Sequence, residues 1–306
     1  TAELRSRVVP KIIPVLLAVP NISEGRDREL VVAIARAFAP WRLLDLHLDP
    51  DHNRSVLSLS APSGSEALGG LKGGVERALA TLDLGRHEGV HPRVGAVDVL
   101  PIVYPETAAR PQAQALALTA AALIGEELEL PTFLYGELAT APDRRERAEL
   151  RRGGPALLAR RMAAGELRPD FGPPRLHPRG GALLVTARPP LVAFNVELAS
   201  DDVEQARRIA SELREAGGGP AGLRAIGVPL RSRGRAQVSF NVHDPLSLPL
   251  AEIVASVRAR APVAAAEIVG LVPSAALDGF PPDVPLRGFD PERQILERAL
   301  ALAADD

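Results

Sequence analysis

Short apolar runs and amphipathic segments alternate along this chain in the order strand–helix–strand–strand–helix–strand, and the order occurs twice. A half-buried strand repeats its apolar residues every second position and a surface helix every third or fourth, so the order is legible before any residue is given a role. In the first half, strands are expected at 15–19, 43–48, 55–59 and 97–103. Between them, a helix over 27–39 carries Leu30, Val31, Ile34 and Phe38 on one face. A second helix opens with the capping box Ser63-Gly64-Ser65-Glu66 and runs to residue 82, with Leu68, Leu71, Val75 and Leu79 inward. A helix over 111–128 and a strand over 132–135 extend this half. Residues 142–178, helical and then rich in Pro and Arg, read as a linker. Beyond it, strands are expected at 183–186, 191–196, 223–228, 236–241 and 267–269, with helices over 203–216 and 249–261. The fold class that follows is α/β (α+β), with two ferredoxin-like βαββαβ subdomains, 1–178 and 179–306, and a ligand groove between them. The halves share this order without a clear sequence repeat.

Composition narrows the function classes. With 306 residues, 46% of them hydrophobic, the chain can bury two cores. A net charge of −2 gives no reason to expect nucleic acid or an anionic membrane as partner. The absence of Cys excludes disulfides, thiolate metal sites and a Cys nucleophile, and agrees with a cytoplasmic location. The apolar stretch at 113–125 is shorter than the roughly 20 residues a membrane-spanning helix needs. Arg5, Arg7 and Lys11 before the apolar run 12–19 mimic a signal peptide. Pro10, Pro14 and the lack of an A-x-A cleavage site favour a first strand instead.

His87-Glu88-Gly89-Val90-His91 spells H-E-x-x-H, the zinc-protease pattern of two ligands and a general base on one helical face. Gly89 costs a helix about 1 kcal/mol. Pro92 disfavours the α conformation at His91 and cannot donate a helical hydrogen bond. A loop entering the strand at 97–103 is expected, and a zinc hydrolase is the weaker reading. Polar residues gather in loops between strands: Asn21, Ser23, Glu24 and Arg26; His47, Asp49, Asp51, His52, Asn53 and Arg54; His87, His91 and Arg93; Arg175, His177 and Arg179; then Arg188 and Asn195. Rigid scaffolds carry sites on such loops. Taken singly, each has a plainer reading as a turn former or a surface cation.

Several blocks resemble one family, the glutamate formimidoyltransferases. They are Val19-Pro20-Asn21-Ile22-Ser23-Glu24-Gly25-Arg26, Asp49-Pro50-Asp51-His52-Asn53-Arg54-Ser55-Val56 and His91-Pro92-Arg93-Val94-Gly95-Ala96-Val97-Asp98. Leu134-Tyr135-Gly136-Glu137, Pro169-Asp170-Phe171-Gly172-Pro173, Ala187-Arg188-Pro189-Pro190-Leu191-Val192-Ala193-Phe194-Asn195, Ala236-Gln237-Val238-Ser239 and Ile268-Val269-Gly270-Leu271-Val272-Pro273 continue the match in family order. The resemblance implies transfer of a formimidoyl group from N-formimidoyl-L-glutamate to N5 of tetrahydrofolate, with tetrahydrofolate as co-substrate and no metal. It also implies two α/β subdomains around a folate groove, and a homodimer. It makes His91 the catalytic residue. It places folate contacts on Gly172, Pro173, Pro174, Arg175, Leu176, His177, Pro178, Arg179, Gly180 and Gly181. Asn21, His47, Asn53, Arg54, Arg93, Arg188 and Asn195 are the candidates for substrate binding. Val90 and His47 depart from the animal enzymes, which have acidic residues there, and the cyclodeaminase domain fused in animals is not part of this sequence. Formyl transfer from N-formylglutamate and a non-catalytic folate or amino-acid sensor are the alternatives, since paired ferredoxin-like units also bind ligands without chemistry.

Overall fold

A computed structural model describes residues 15–62 and 66–304. The first expected strand is seen as β1 (Leu17–Ala18); past Pro20, which has no N–H for a ladder bond, the expected loop carries a second short strand, β2 (Asn21–Ile22). Then come α1 (Arg28–Arg36), β3 (Arg42–Asp49), β4 (Arg54–Ser60), α2 (Ala67–Thr81) and β5 (Val97–Val103). β1 and β2 lie between β4 and β5, and β3 pairs with β4 at the edge, every pairing antiparallel. That is the expected ferredoxin-like sheet. α1 begins one residue late because the Asp27 side chain caps it, accepting a 2.9 Å hydrogen bond from the Leu30 N–H. Ser63, Gly64 and Ser65 of the capping box, and the chain up to residue 14, lie outside the described residues. Glu66 stands at the N-cap of α2 and makes no capping bond with its side chain.

After α3 (Arg110–Glu127), β6 (Thr132–Leu134) and β7 (Leu183–Arg188) extend the same sheet, both parallel, in the order β5–β7–β6. The strand expected at 183–186 to open the second half therefore belongs to the first sheet, and a boundary at 178/179 separates it from its neighbours. Leu183, Val185 and Ala187 join the core beneath the helices, while Leu184 joins a second cluster on the opposite face. A strand buried on both faces reads as a plain apolar run, which does not reveal its sheet.

The second sheet is built by β8 (Val192–Leu198), α6 (Val203–Leu213), β9 (Leu223–Leu230), β10 (Arg235–Val242), α7 (Leu250–Arg258) and β11 (Val263–Val269). Its order is β11–β8–β10–β9, all antiparallel, so the βαββαβ order is complete from β8 onward. Phe194, Val238 and Phe240 meet Ile209 and Ile253 of its helices in one core. Each sheet thus has helices on one face. The opposite faces turn toward each other and line a groove. Strand alternation selects its lining: Leu17, Val19 and Asn21; Arg54, Val56 and Ser58; Val99, Pro101 and Val103 from the first sheet; Ala193, Asn241 and Val269 from the second. The short helices α4 (Arg147–Arg151) and α5 (Gly154–Ala163) cover part of the first sheet's open face through Leu150, Leu158 and Met162. Beyond α8 (Pro291–Gln294), α9 (Leu296–Ala304) packs Leu296 against Leu17 and Val103 at the groove wall. Among the described residues, no helix is long and apolar enough to cross a membrane.

Candidate active site

His91 stands on the loop between α2 and β5, and that loop is held by side chains rather than by regular structure. The turn Leu84–Arg86 ends at His87 in extended backbone, so no helix carries the H-E-x-x-H stretch. His87 Nε2 donates to the Asn53 carbonyl at 2.7 Å, while His91 Nε2 meets Arg54 Nη1 at 2.7 Å. The two imidazoles thus serve different partners. Asn53, in a left-handed conformation (φ 47°), donates from Nδ2 to the Glu88 carbonyl and accepts from the Gly25 N–H, 2.9 Å each. Arg93 folds back to donate to the carbonyls of His87 (2.7 Å), Gly89 (3.0 Å) and His91 (3.3 Å). The Val94 N–H donates to buried Asp98 at 2.7 Å, and Asp98 pairs with buried Arg151. Asn53 and Arg93, candidates for substrate contact, are here braces of the His91 loop.

A guanidinium only donates, so Nε2 of His91 accepts from Arg54 and the ring proton sits on Nδ1. The imidazole is held neutral. Burial, then the charges of Arg54, Arg151, His52 and Arg147, push its pKa well below the ordinary histidine value. His52, whose ring centre lies 5.7 Å away, is itself paired with Asp49 through Nδ1 at 2.9 Å.

Arg54, Arg147 and Arg188 converge on the groove, and no Asp or Glu is among its lining residues. Burial and then the charges of Arg151 and Arg147 lower Arg54 to about 10. Burial, opposed by Tyr135 and reinforced by the charge of Arg147, brings Arg188 to about 10 as well. Among the described residues, Arg54 Nε has no hydrogen-bond partner and Arg188 Nη1 donates to the neighbouring Pro189 carbonyl at 2.9 Å. Three guanidinium groups in one groove have the geometry to bind carboxylates. Asn21 also lines the groove, with its amide donating to the Val19 carbonyl at 3.1 Å. Asn195 does not; its Nδ2 donates to Glu267 at 3.0 Å, and His47 Nε2 stands 4.0 Å from the same carboxylate.

The segment 172–181 lines no part of this groove. It packs behind the His91 loop: the Ala96 N–H donates to the Gly180 carbonyl, the Ala182 N–H to Val94 and the Leu84 N–H to Arg179, at 2.8–2.9 Å. Arg175 and Arg179 are exposed, and the Arg179 carbonyl meets the turn Leu84–Arg86 at the Leu84 N–H. Sequence reasoning passed over Arg147, Arg151 and Asn241. Asn241 was readable, because Gln237, Ser239 and Asn241 alternate with the core residues Val238, Phe240 and Val242 on β10. Arg147 and Arg151 lie in an Arg-rich stretch where no spacing sets them apart.

Comparison with known proteins gives the family. Residues 15–188 match the formiminotransferase domain, N-terminal subdomain, and residues 193–279 match the formiminotransferase domain. A glutamate formimidoyltransferase of Streptococcus pyogenes serotype M1 is 35% identical over 293 residues, which cover 92% of this chain and 97% of that one. One from Thermoplasma acidophilum is 36% identical over 298 residues, covering 94% and 97%. A formimidoyltransferase-cyclodeaminase of Mus musculus is 36% identical over 273 residues, 85% of this chain but 50% of that longer protein. With both subdomain matches and near end-to-end similarity to two relatives, the chain belongs to the formiminotransferase family.

Proposed function

We propose that the protein transfers the formimidoyl group of N-formimidoyl-L-glutamate to N5 of tetrahydrofolate, giving 5-formimidoyltetrahydrofolate and glutamate. The observation that carries the reading is a neutral imidazole, His91, held by one arginine of a three-arginine groove that contains no carboxylate. Both substrates bring carboxylates. As a carboxylate engages Arg54, the guanidinium releases the Nε2 lone pair, and the N5–H of the folate takes its place. N5 attacks the amidine carbon, a new N5–C bond forms, and the N5 proton passes to Nε2. The C–N bond to glutamate then breaks, and the same proton returns to the departing amine. Asp98, Arg151, Asn53 and Arg93 act through the loop by fixing where the imidazole points.

No step of this sequence calls for a metal ion. Folate contact along Gly172–Gly181 rests on the family resemblance, and exposed Arg175 and Arg179 suit the carboxylates of its glutamate tail. The same resemblance extends the proposal to a cytoplasmic homodimer.

The test is turnover of purified protein with tetrahydrofolate and a panel of formimidoyl and formyl amino acids, read from the folate absorbance. Formimidoylglutamate is expected to be the best donor; preference for formylglutamate would make the protein a formyltransferase, and no turnover with any donor would sink the enzyme reading. His91→Ala should lower kcat by about 10²–10⁴-fold with folate affinity retained. Near-normal turnover in that variant would remove His91 from the chemistry. Lost binding in wild type and variant alike would remove folate itself.

A further inference from the structure

Where the edge strand of the first sheet meets the second sheet, three side chains with metal-binding donors converge, and none of them is used in the transfer step. We propose that His47, Asp49 and Glu267 bind one divalent cation of the zinc class, which pins β3 to β11. His47 and Asp49 are two apart on β3 and so share a face, and His47 sits opposite Val56, whose side chain lines the groove. Glu267 comes from β11, opposite Asn195 of β8. One donor atom from each of the three lies within 4.8 Å of the others. No single unit of the fold supplies all three, so an ion here ties the two sheets together.

One ring nitrogen of His47 is uncommitted and turned toward Glu267. This atom, Nε2, is shielded from solvent and, among the described residues, has no hydrogen-bond partner, although Glu267 Oε1 stands 4.0 Å away. That separation is too long for a hydrogen bond, and buried polar atoms in folded proteins are rarely left unpaired. Both carboxylates, by contrast, are held from behind. Asn195 Nδ2 donates to Glu267 Oε2 at 3.0 Å, which leaves Oε1 turned toward His47. His52 holds Asp49 through its ring Nδ1 and its backbone N–H, 2.9 Å each. Burial favours the neutral acid at Asp49, but the hydrogen bond and charge of His52 outweigh it and bring the carboxyl to about 2. Such outer contacts are how proteins orient metal ligands before the metal arrives.

The donor set chooses among ions. One imidazole and two carboxylates, with no thiolate, match a zinc-class ion with three protein ligands and one water. Bonds of about 2.0–2.2 Å in a tetrahedral site set ligand atoms about 3.4 Å apart, so donor atoms that now lie within 4.8 Å of one another would close by up to about 1.4 Å. Magnesium, which demands near-octahedral oxygen ligands, is disfavoured by the imidazole.

The experiment uses the full chain, freed of metal by chelator and dialysis, titrated calorimetrically with Zn²⁺ and then with Mn²⁺. One Zn²⁺ per chain is expected, with weaker Mn²⁺ binding and a thermal midpoint that rises with Zn²⁺ concentration. His47→Ala and Glu267→Gln should each lower Zn²⁺ affinity at least tenfold and abolish most of the midpoint shift. The proposal falls if the wild type takes up less than one Zn²⁺ with an unmoved midpoint. It falls equally if a folded variant binds as the wild type does, since the ion would then sit elsewhere. Should a variant fail to fold, the wild-type titration still decides. Because these readings are stoichiometry and stability, failure of the transferase reading would leave the cation site standing.

Discussion

At the scale of single residues, His91 serves as a base only while its ring is neutral, and its surroundings keep it so. Burial is the larger cause of its lowered pKa and the Arg54 charge the next. A base of depressed pKa is active above that pKa and fails only when protonated below it. The acid limb of kcat/KM should therefore lie below the ordinary histidine value of about 6.5. Arg54→Gln removes a repelling charge, so the limb should move toward higher pH while staying below that value, because burial remains. A pH profile of the two proteins checks this, and an unmoved limb would show that Arg54 does not act on His91 electrostatically. The same arginine also meets substrate in our reading, so KM should rise alongside. His91 was singled out in the sequence by the family resemblance, while Pro92 argued only against the helix that a zinc site needs. Arg147 was not, because only the folded chain brings it from α4 to Arg54 and Arg188.

At the scale of elements, the segment before β7 decides how firmly the His91 loop is seated. Gly181 has φ 68°, and a Cβ there would stand 2.1 Å from the Val94 carbonyl oxygen. A Cβ at Gly180 would stand 2.1 Å from a methyl of Leu79. These glycines admit the chain's own backbone and α2, at positions where the resemblance implied folate contact. Gly181→Ala should cost about 1–2 kcal/mol for the left-handed backbone, and more for the collision with Val94. Denaturation should show this as a lower midpoint, with turnover falling as the loop shifts. Full stability with only folate affinity reduced would restore the simpler reading, in which the glycines serve the ligand. The apolar periods located the strands and helices within a few residues, but whether β7 joined the first or second sheet depended on which faces were covered.

At the scale of the whole molecule, several histidines are kept below their ordinary pKa in the folded state. His87, His91 and His177 are all lowered, in each case chiefly by burial. The unfolded chain then binds protons first, near pH 6.5, while the folded protein resists them to a lower pH. The contribution of these groups is fully present above about 6.5 and is lost as pH falls from there toward the folded-state values. The thermal midpoint should accordingly drop between pH 7 and pH 5, and a His87→Gln variant should show a shallower drop. A midpoint flat across that range would mean the imidazoles are no drier in the folded state. The two halves are also joined directly: Asp51 accepts 3.0 and 2.5 Å hydrogen bonds from the N–H and hydroxyl of Ser232, and Arg224 pairs with Glu146 at 2.6 Å.

The sequence by itself determined the twice-used βαββαβ order, the loop character of the His91 segment, and the resemblance whose blocks run through both halves. These are local quantities: hydrophobic period, proline sterics, and short motifs in order. Tertiary structure decided that two open sheet faces meet, that Arg147 joins Arg54 and Arg188 there, and that 172–181 braces the His91 loop. It also brought His47 and Asp49 of one sheet to Glu267 of the other. Contacts between residues one or two hundred positions apart follow from which faces remain uncovered after each sheet has packed its helices, and no local period encodes that.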